Sequence, residues 1–254
     1  MTHAAPRFSL VPPRPLIAPT LDSAWALVAP VACVGCGRDD VAVCTDCRGA
    51  LEPRVRVAAL TVGSTEVPLV AALDYDGAAR AALLALKEEG RTELAAALAP
   101  AVSAAVVEAY RQAANYTAVR PESPLLVPVP GSRAGFARRG VHPTEVLARR
   151  AGFATTRVLA PARGSGPAQK SRALAERLAR ESGVVVRGAA RLLGRRVVLI
   201  DDVVTSGATL RSSAAVVRAA GAEVVACAAV MATPRRQGVS SIPWSPIRRD
   251  PDVS

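Results

Sequence analysis

A run of acidic, hydroxyl-bearing and small residues in the last quarter of the chain has the composition of a phosphate-binding turn. Four apolar residues, Val197 to Ile200, lead into the adjacent acids Asp201 and Asp202. In parallel sheets, ligands lie beyond the carboxyl ends of strands, and the free N–H groups of a helix N-terminus bind anions. We therefore expect a phosphate at the segment that follows the acids, which consists of Val203, Val204, Thr205, Ser206, Gly207, Ala208 and Thr209.

Each part of this segment has a chemical use. Gly207 lets the backbone come close to an anion, and Thr205, Ser206 and Thr209 add hydroxyl donors. The two carboxylates suit ribose hydroxyls and a Mg²⁺ ion shared by the sugar and its diphosphate. The alternative is an ordinary helix cap beside a short glycine turn. The segment has neither the glycine and lysine spacing of a P-loop nor a dinucleotide fingerprint.

Four of the five cysteines form a second chemical motif near the start of the chain. They stand in two Cys-x2-Cys pairs separated by seven residues, with Gly35 and Gly37 easing the turns. Four thiolates satisfy tetrahedral Zn²⁺, and such a closed site is structural rather than catalytic. A redox disulfide or an empty site is the alternative, but a cytosol keeps thiols reduced. The predicted zinc ligands are Cys33, Cys36, Cys44 and Cys47.

The two motifs together resemble the ComF family of bacterial proteins, which is linked to natural DNA uptake and includes amidophosphoribosyltransferase-like members. The turn resembles the signature with which type I phosphoribosyltransferases bind 5-phosphoribosyl-1-pyrophosphate (PRPP). The resemblance covers about Ala29 to Met231. It also rests on Tyr75, Leu86-Lys87, Gly90-Arg91, Pro128-Val129-Pro130, Arg138-Arg139-Gly140, Gln169 and Arg177.

This resemblance implies a fold and further site residues. The fold would be α/β, a type I phosphoribosyltransferase-like parallel sheet flanked by helices, with a small N-terminal zinc-binding knuckle. Arg138, Arg139 and Lys87 would bind pyrophosphate, although a solvated loop is the alternative for the two arginines. Gln169 and Arg177 would belong to a lid over the ribose.

The chain departs from the family pattern at two places, which puts the leaving-group or acceptor side in doubt. Gly140-Val141-His142-Pro143 stands where the family has Gly-Phe-Asn-Gln, and Arg180 stands where an Asn is expected. His142 could serve as a general base, but a lone His before a proline at a helix start is more often a capping residue.

The hydrophobic periodicity and the breakers predict an order of elements that ends in a β-loop-α-β unit. Before that unit the expected elements are a hairpin (Val55–Val62 and Val67–Tyr75), helices Ala78–Glu89 and Thr92–Ala114, strand Leu125–Val129, loop Pro130–Gly140, helix Thr144–Ala151, loop Arg157–Gly166 and helix Ser171–Arg180. The unit itself comprises strand Arg196–Ile200, turn Asp201–Gly207, helix Ala208–Ala220 and strand Glu223–Met231.

Composition and charge limit the class of protein. The expected organisation is a disordered leader (1–28), the zinc knuckle (29–52), a phosphoribosyltransferase-like domain (53–233) and a disordered basic tail (234–254). A net charge of +11 favours polyanionic partners. Apolar runs are interrupted, for example by Pro100, so we expect no membrane span and a cytoplasmic protein.

Two functions compete on these observations. In the first, an enzyme binds PRPP or another phosphorylated ribose and transfers phosphoribosyl to a nitrogen acceptor, releasing pyrophosphate. In the second, a non-catalytic competence module binds single-stranded DNA and proteins of the uptake machinery, and keeps the PRPP pocket for ligand sensing. Only 3% of the residues are aromatic, which argues against a platform for stacking bases.

Overall fold

A computed structural model describes residues 31–116, 122–131, 142–162, 183–234 and 242–246 of the 254-residue chain. Several predictions concern residues outside these ranges and stay predictions. They are the leader 1–28, the helix Ser171–Arg180, the pyrophosphate ligands Arg138 and Arg139, and the lid residues Gln169 and Arg177.

The described elements follow the predicted order closely. In chain order they are α1 (Thr45–Gly49), β1 (Arg56–Val62), β2 (Thr65–Asp74), α2 (Gly77–Leu84) with a π-helical turn (Ala85–Glu89), α3 (Leu94–Tyr116), β3 (Leu125–Pro128), α4 (Pro143–Arg150), β4 (Leu159–Pro161), β5 (Val184–Val186), a 3₁₀ turn (Ala189–Arg191), β6 (Arg196–Val204), α5 (Ala208–Ala219), β7 (Glu223–Ala232) and β8 (Ser245–Pro246).

The main sheet has the strand order β3-β6-β7-β2-β1-β8. Its first four strands are parallel, while β1 pairs antiparallel with both β2 and β8. The central strands β6 and β7 are runs of small and β-branched residues because both of their faces are covered. One face packs against α2, α3 and α4, and α5 covers the other. The predicted parallel sheet flanked by helices is therefore confirmed, with an antiparallel hairpin at one edge.

Three details of the sheet differ from the sequence expectations. Strand β6 continues to Val204 instead of ending at Ile200, because Val203 and Val204 still pair with β7. Part of the predicted loop Arg157–Gly166 forms β4, which pairs with β5 in a separate two-stranded sheet. Residues 242–246 belong to the stretch predicted as a disordered tail, yet they lie along β1, where Ser245 pairs with Val57.

Helix α3 is long and apolar enough to cross a membrane over Leu94–Asn115 by length and composition. Half of that stretch is nevertheless buried inside the protein. Leu98, Val102 and Val106 are fully buried in the cluster that α3 shares with β2 and β7. These contacts are those of a core helix, since an amphipathic core helix buries one face against its sheet.

Candidate functional site

The predicted acids lie near the carboxyl end of the second strand of the sheet, between β3 and β7. Asp201 is level with Ala229 of β7 in the strand register. The neighbouring strands end at the same edge, where the N–H of Tyr75 donates to the carbonyl of Ala232 at 2.8 Å. The N–H of Thr233 likewise donates to the carbonyl of Val204 at 3.0 Å. The acids therefore occupy the edge of the sheet where α/β proteins bind their ligands.

The carboxylate of Asp201 contacts the backbone of Asp202, and the carboxylate of Asp202 contacts one lysine. The N–H of Asp202 donates to Oδ1 of Asp201 at 2.8 Å. Nζ of Lys87 lies 2.7 Å from Oδ1 of Asp202, and both side chains are largely shielded from solvent. The structure thus brings together three of the residues predicted for the site, Lys87, Asp201 and Asp202.

Burial and the neighbouring charge of Asp202 raise the pKa of Asp201 from its ordinary value near 3.8 to about 8. The hydrogen bond from the backbone N–H of Asp202 and the charge of Lys87 lower this pKa, but by less than burial and Asp202 raise it. A carboxyl group in this state holds a proton through most of the neutral range. The pair of acids therefore carries less than two full negative charges near pH 7.

Lys87 reaches the acids from a distorted helix end. The π-helical turn Ala85–Glu89 continues α2 and ends at Gly90, whose φ of 72° is left-handed. The helix predicted over Ala78–Glu89 ends at the same residue, Glu89. Its π-helical end was not predicted, and such turns are rare in proteins and frequent at functional sites.

The turn after β6 has one solvent-exposed side and one packed side. Thr205, Ser206, Ala208 and Thr209 are exposed, and Oγ of Ser206 accepts from the N–H of Ala208 at 3.4 Å. Gly207 is buried with a φ of 74° at the N-cap of α5. The predicted ligands Val203 and Val204 are residues of β6, with Val204 buried. The exposed hydroxyls and the first N–H groups of α5 are the groups of this turn that could bind an anion.

Position 207 requires a glycine for a second reason, in addition to the close approach of an anion that the sequence suggested. A Cβ at this position would lie 2.7 Å from Cδ1 of Leu60, closer than real Cβ atoms approach their neighbours. The left-handed φ also disfavours any other residue. The glycine is therefore needed for packing inside the protein, whether or not an anion approaches it.

Helix α4, which follows the predicted pyrophosphate loop, carries an ion pair that the sequence analysis missed. Glu145 is buried, and both of its carboxylate oxygens accept hydrogen bonds from Nε of Arg157, at 2.5 and 2.6 Å. An acid among the buried positions of a short helix was the available signal, since buried charges are almost always paired. The pair joins α4 to the segment that enters β4.

His142 occupies the N-cap position of α4, as expected of a His before a proline. Its side chain makes no capping hydrogen bond. Instead its backbone carbonyl accepts from the N–H groups of Glu145 and Val146 at 3.0 and 3.1 Å. The capping contact of this residue is therefore made by its backbone carbonyl.

The four cysteines of the predicted knuckle converge on one point. Their sulfur atoms all lie within 4.8 Å of one another, and the sulfurs of Cys36 and Cys44 are 3.6 Å apart. Zn–S bonds of about 2.3 Å in a tetrahedron place the sulfurs roughly 3.8 Å apart. The cluster could therefore hold a metal ion such as zinc.

The chain around the sulfurs is shaped for a compact thiolate site. The N–H of Cys44 donates to the sulfur of Cys33 at 3.3 Å, and this bond is the main reason why the pKa of Cys33 falls to about 6. Hydrogen bonding to the Cys44 thiol and burial raise the pKa of Cys47 to about 12. A Cβ at Gly35 would lie 2.6 Å from the sulfur of Cys47. Gly35 is thus required by the close approach of the second cysteine pair.

The knuckle packs onto the main fold. Val43 and Leu51 are buried in the same apolar cluster as α2 and α3. A guanidinium N–H of Arg91 donates to the carbonyl of Ala32 at 3.3 Å. The knuckle therefore shares the apolar cluster of α2 and α3 and contacts Arg91, which lies just beyond the π-helical turn bearing Lys87.

An open cleft of about 540 Å³ lies at the opposite end of the sheet, among the amino ends of β6 and β7. No described group of several acids, histidines or cysteines lines it, and its charged residues are Arg218 and Glu223. Arg218 already donates to the carbonyl of Val62 at 2.9 Å. The chemistry-bearing residues are therefore at the other edge, around Asp201.

We expect the purified chain to contain about one zinc ion, held by the four thiolates. The Cys44→Ser variant should lose nearly all of it and melt at a lower temperature, because metal binding contributes to folding. Metal content measured by mass spectrometry and thermal unfolding check this. Cys227→Ala is the matched control, since Cys227 is buried in the sheet away from the cluster. Full zinc content in Cys44→Ser would contradict the assignment.

The pKa of Asp201 near 8 makes the stability of the ligand-free protein depend on pH. The folded state holds a proton that the unfolded chain releases above pH 4. The free energy of unfolding should therefore fall as the pH rises from about 4 to 8, on the order of a few kcal/mol. Denaturant unfolding at several pH values measures it, and Asp201→Asn should flatten that part of the profile. An unchanged profile in the variant would refute the pKa assignment.

Comparison with known proteins agrees with the architecture. Residues 134–251 match the family model described as phosphoribosyl transferase domain, and the match includes both acids and the turn. No curated protein sequence matches the chain.

Two solved structures are similar to the chain at low identity. One is the allosteric regulatory enzyme of purine biosynthesis, with 23% identity over 50% of this chain and a TM-score of 0.28; the chain covers 26% of that enzyme. The other is adenine phosphoribosyltransferase from Leishmania tarentolae, with 22% identity, 70% of each chain covered and a TM-score of 0.31. With the family match and the sheet described above, the chain has a phosphoribosyltransferase-type α/β fold, preceded by a four-cysteine cluster that could bind a metal.

Proposed function

We propose that the chain binds PRPP at the acids and turn that follow β6, and transfers its phosphoribosyl group to a nitrogen acceptor with release of pyrophosphate. The observation that carries this proposal is the contact of Lys87 with Asp202 beside Asp201, immediately before an exposed turn at a helix N-terminus. The proposal is supported by the proximity of a cation to two acids that precede the first N–H groups of a helix.

The proposed division of labour follows the resemblance to type I phosphoribosyltransferases. The 5′-phosphate would accept hydrogen bonds from the N–H groups that begin α5 and from the hydroxyls of Thr205, Ser206 and Thr209. Asp201 and Asp202 would accept from the ribose hydroxyls. Lys87 would face the diphosphate, together with Arg138 and Arg139. Gln169 and Arg177 would cover the ribose.

The reaction asks the protein for position and charge rather than for a covalent intermediate. As the bond from C1 to the diphosphate breaks, positive charge develops on the ribose ring and negative charge on the leaving group. Fixed carboxylates beside the ribose and cations beside the diphosphate stabilise that separation. Mg²⁺, when bound with PRPP, would neutralise diphosphate charge, and the oxygens of Asp201 and Asp202 are ligands of the kind it prefers.

We also propose that the protein is of the ComF type and acts in the cytoplasm. The support is the combination of a compact four-cysteine cluster with the site at Asp201, and the packing of the knuckle on α2 and α3. Membership of this type would make proteins of the DNA-uptake machinery candidate partners.

The described part of the knuckle argues against a direct role in binding single-stranded DNA. Its charged side chains are all exposed, and acids outnumber bases by four to two. Four thiolates around a divalent ion would add further negative charge. Because affinity for nucleic acid depends mainly on phosphate contacts by basic residues, we favour the enzyme over the DNA-binding alternative. The charged residues of residues 31–52 are Arg38, Asp39, Asp40, Asp46, Arg48 and Glu52.

We expect calorimetry with PRPP and Mg²⁺ to show binding to the purified chain. In the double variant Asp201→Asn/Asp202→Asn, PRPP binding should be nearly lost, weaker by about tenfold or more. Glu223→Gln is the matched control, because Glu223 is an exposed acid at the opposite end of the sheet. Release of pyrophosphate with ammonia or one of a panel of nitrogenous bases would then identify the acceptor. Equal PRPP binding by the chain and the double variant would overturn the proposal.

The role of Lys87 can be separated from that of Asp202 by comparing two ligands. If Lys87 contacts the diphosphate, Lys87→Gln should weaken PRPP binding by roughly tenfold or more and leave ribose 5-phosphate binding nearly unchanged. Calorimetry with both ligands measures this. Arg80→Gln is the control. Arg80 is another cation, in the helix α2 that leads into the turn bearing Lys87, and it lies over the ring of Tyr75. Equal weakening of both ligands would show that Lys87 only holds Asp202 in place.

A further inference from the structure

The turn between β6 and α5 rests on an apolar surface built from distant parts of the chain. Leu60 of β1 is 1% exposed and Ile242 is 8% exposed. A Cβ added at Gly207 would lie 2.7 Å from Cδ1 of Leu60 and 3.4 Å from Cδ1 of Ile242. The buried side of the glycine is thus in close contact with both side chains.

Ile242 is brought there by residues 242–246, which return to the sheet after β7. In this segment Ser245 pairs with Val57 of β1. The ring of Trp244 lies under the guanidinium of Arg56, 5.5 Å from its centroid, and Arg56 forms an ion pair with Asp74 at 2.8 Å. The strand pairing and the stacking of Trp244 on Arg56 therefore hold the segment against β1, and the ion pair with Asp74 fixes Arg56.

The opposite side of the same turn is the side that we assign to phosphate. Thr205, Ser206 and Thr209 are exposed, and these are the residues whose hydroxyls would bind the anion. The carbonyl of Gly207 accepts from the N–H of Arg211 at 2.9 Å and so begins α5. A turn this short cannot move on one side without moving on the other, because Gly207 links the hydroxyl-bearing residues to the helix.

We propose that Leu60 and Ile242 are positioning residues for the phosphate turn, and that residues 242–246 are a structural part of the ligand site. This inference rests on the proposed function for the identity of the ligand, but not for the mechanical role of the two side chains. The apolar contact holds Gly207 in its left-handed conformation and keeps the N–H groups of Ala208 and Thr209 oriented before the ligand arrives. A turn that is ordered in advance does not lose that freedom on binding, and the affinity is correspondingly higher.

The test compares four proteins, all full-length: the unchanged chain, Ile242→Ala, Ile242→Val and Ser245→Ala. Ser245 is exposed and lies in the same segment as Ile242. Ser245→Ala therefore changes the segment without changing the apolar contact at Gly207, and serves as the control. Two quantities are measured on each protein: amide hydrogen exchange of peptides covering residues 205–211 without ligand, and PRPP binding with Mg²⁺.

In Ile242→Ala we expect exchange across residues 205–211 to accelerate by about tenfold, while peptides of α3 and β7 stay unchanged, since local opening is independent of global unfolding. PRPP binding should weaken by about tenfold. Ile242→Val should restore both quantities to within about twofold, because it keeps most of the buried contact. Ser245→Ala should behave like the unchanged chain.

The inference is overturned if Ile242→Ala leaves exchange at the turn unaltered, or accelerates exchange equally in all peptides. It is also overturned if the turn loosens but PRPP binds as tightly as before. If the unchanged chain fails to bind PRPP, the proposed function fails on that result alone, and the exchange data still decide whether Leu60 and Ile242 hold the turn.

Discussion

Two adjacent carboxyl groups at the end of an apolar strand are unfavourable to bury, and the arrangement of the candidate site follows from how this chain accommodates them. Asp202 is matched by Lys87 at 2.7 Å, and Asp201 accepts the Asp202 N–H at 2.8 Å. The compensation is incomplete, and the pKa of Asp201 stays raised to about 8. A site that keeps a polar pair partly uncompensated is one that a ligand with hydroxyl groups and a metal ion can complete.

The lysine that balances the charge of Asp202 is positioned by an unusual backbone conformation. Lys87 lies in the π-helical turn after α2, and Gly90 ends that turn in a left-handed conformation. The knuckle packs against the same region through Val43 and Leu51. A structural metal at the four cysteines would therefore stabilise the surroundings of the turn that carries Lys87.

The turn that we propose for phosphate must meet two demands in one short segment. Its hydroxyls must be accessible, and its backbone must be held still. Gly207 satisfies both, because it has a φ of 74° and no side chain to collide with Leu60. The exposed residues on either side of it then present their polar groups from a supported backbone. The support comes from β1 and from residues 242–246, which are far from the turn in sequence.

Local patterns were sufficient to determine the parts of this protein whose signals are short in range. Residue type and spacing were enough to predict the paired cysteines, the apolar strand ending in Asp201 and Asp202, and the glycine turn after it. The hairpin and most helix bounds also followed, since periodicity and breakers act within a few residues. The tertiary structure alone decided the contact of Lys87 with Asp202, the pair of Glu145 with Arg157, and the folding of residues 242–246 onto β1. Each of these joins residues separated by many positions, so only the packed chain determines which charges and apolar side chains meet.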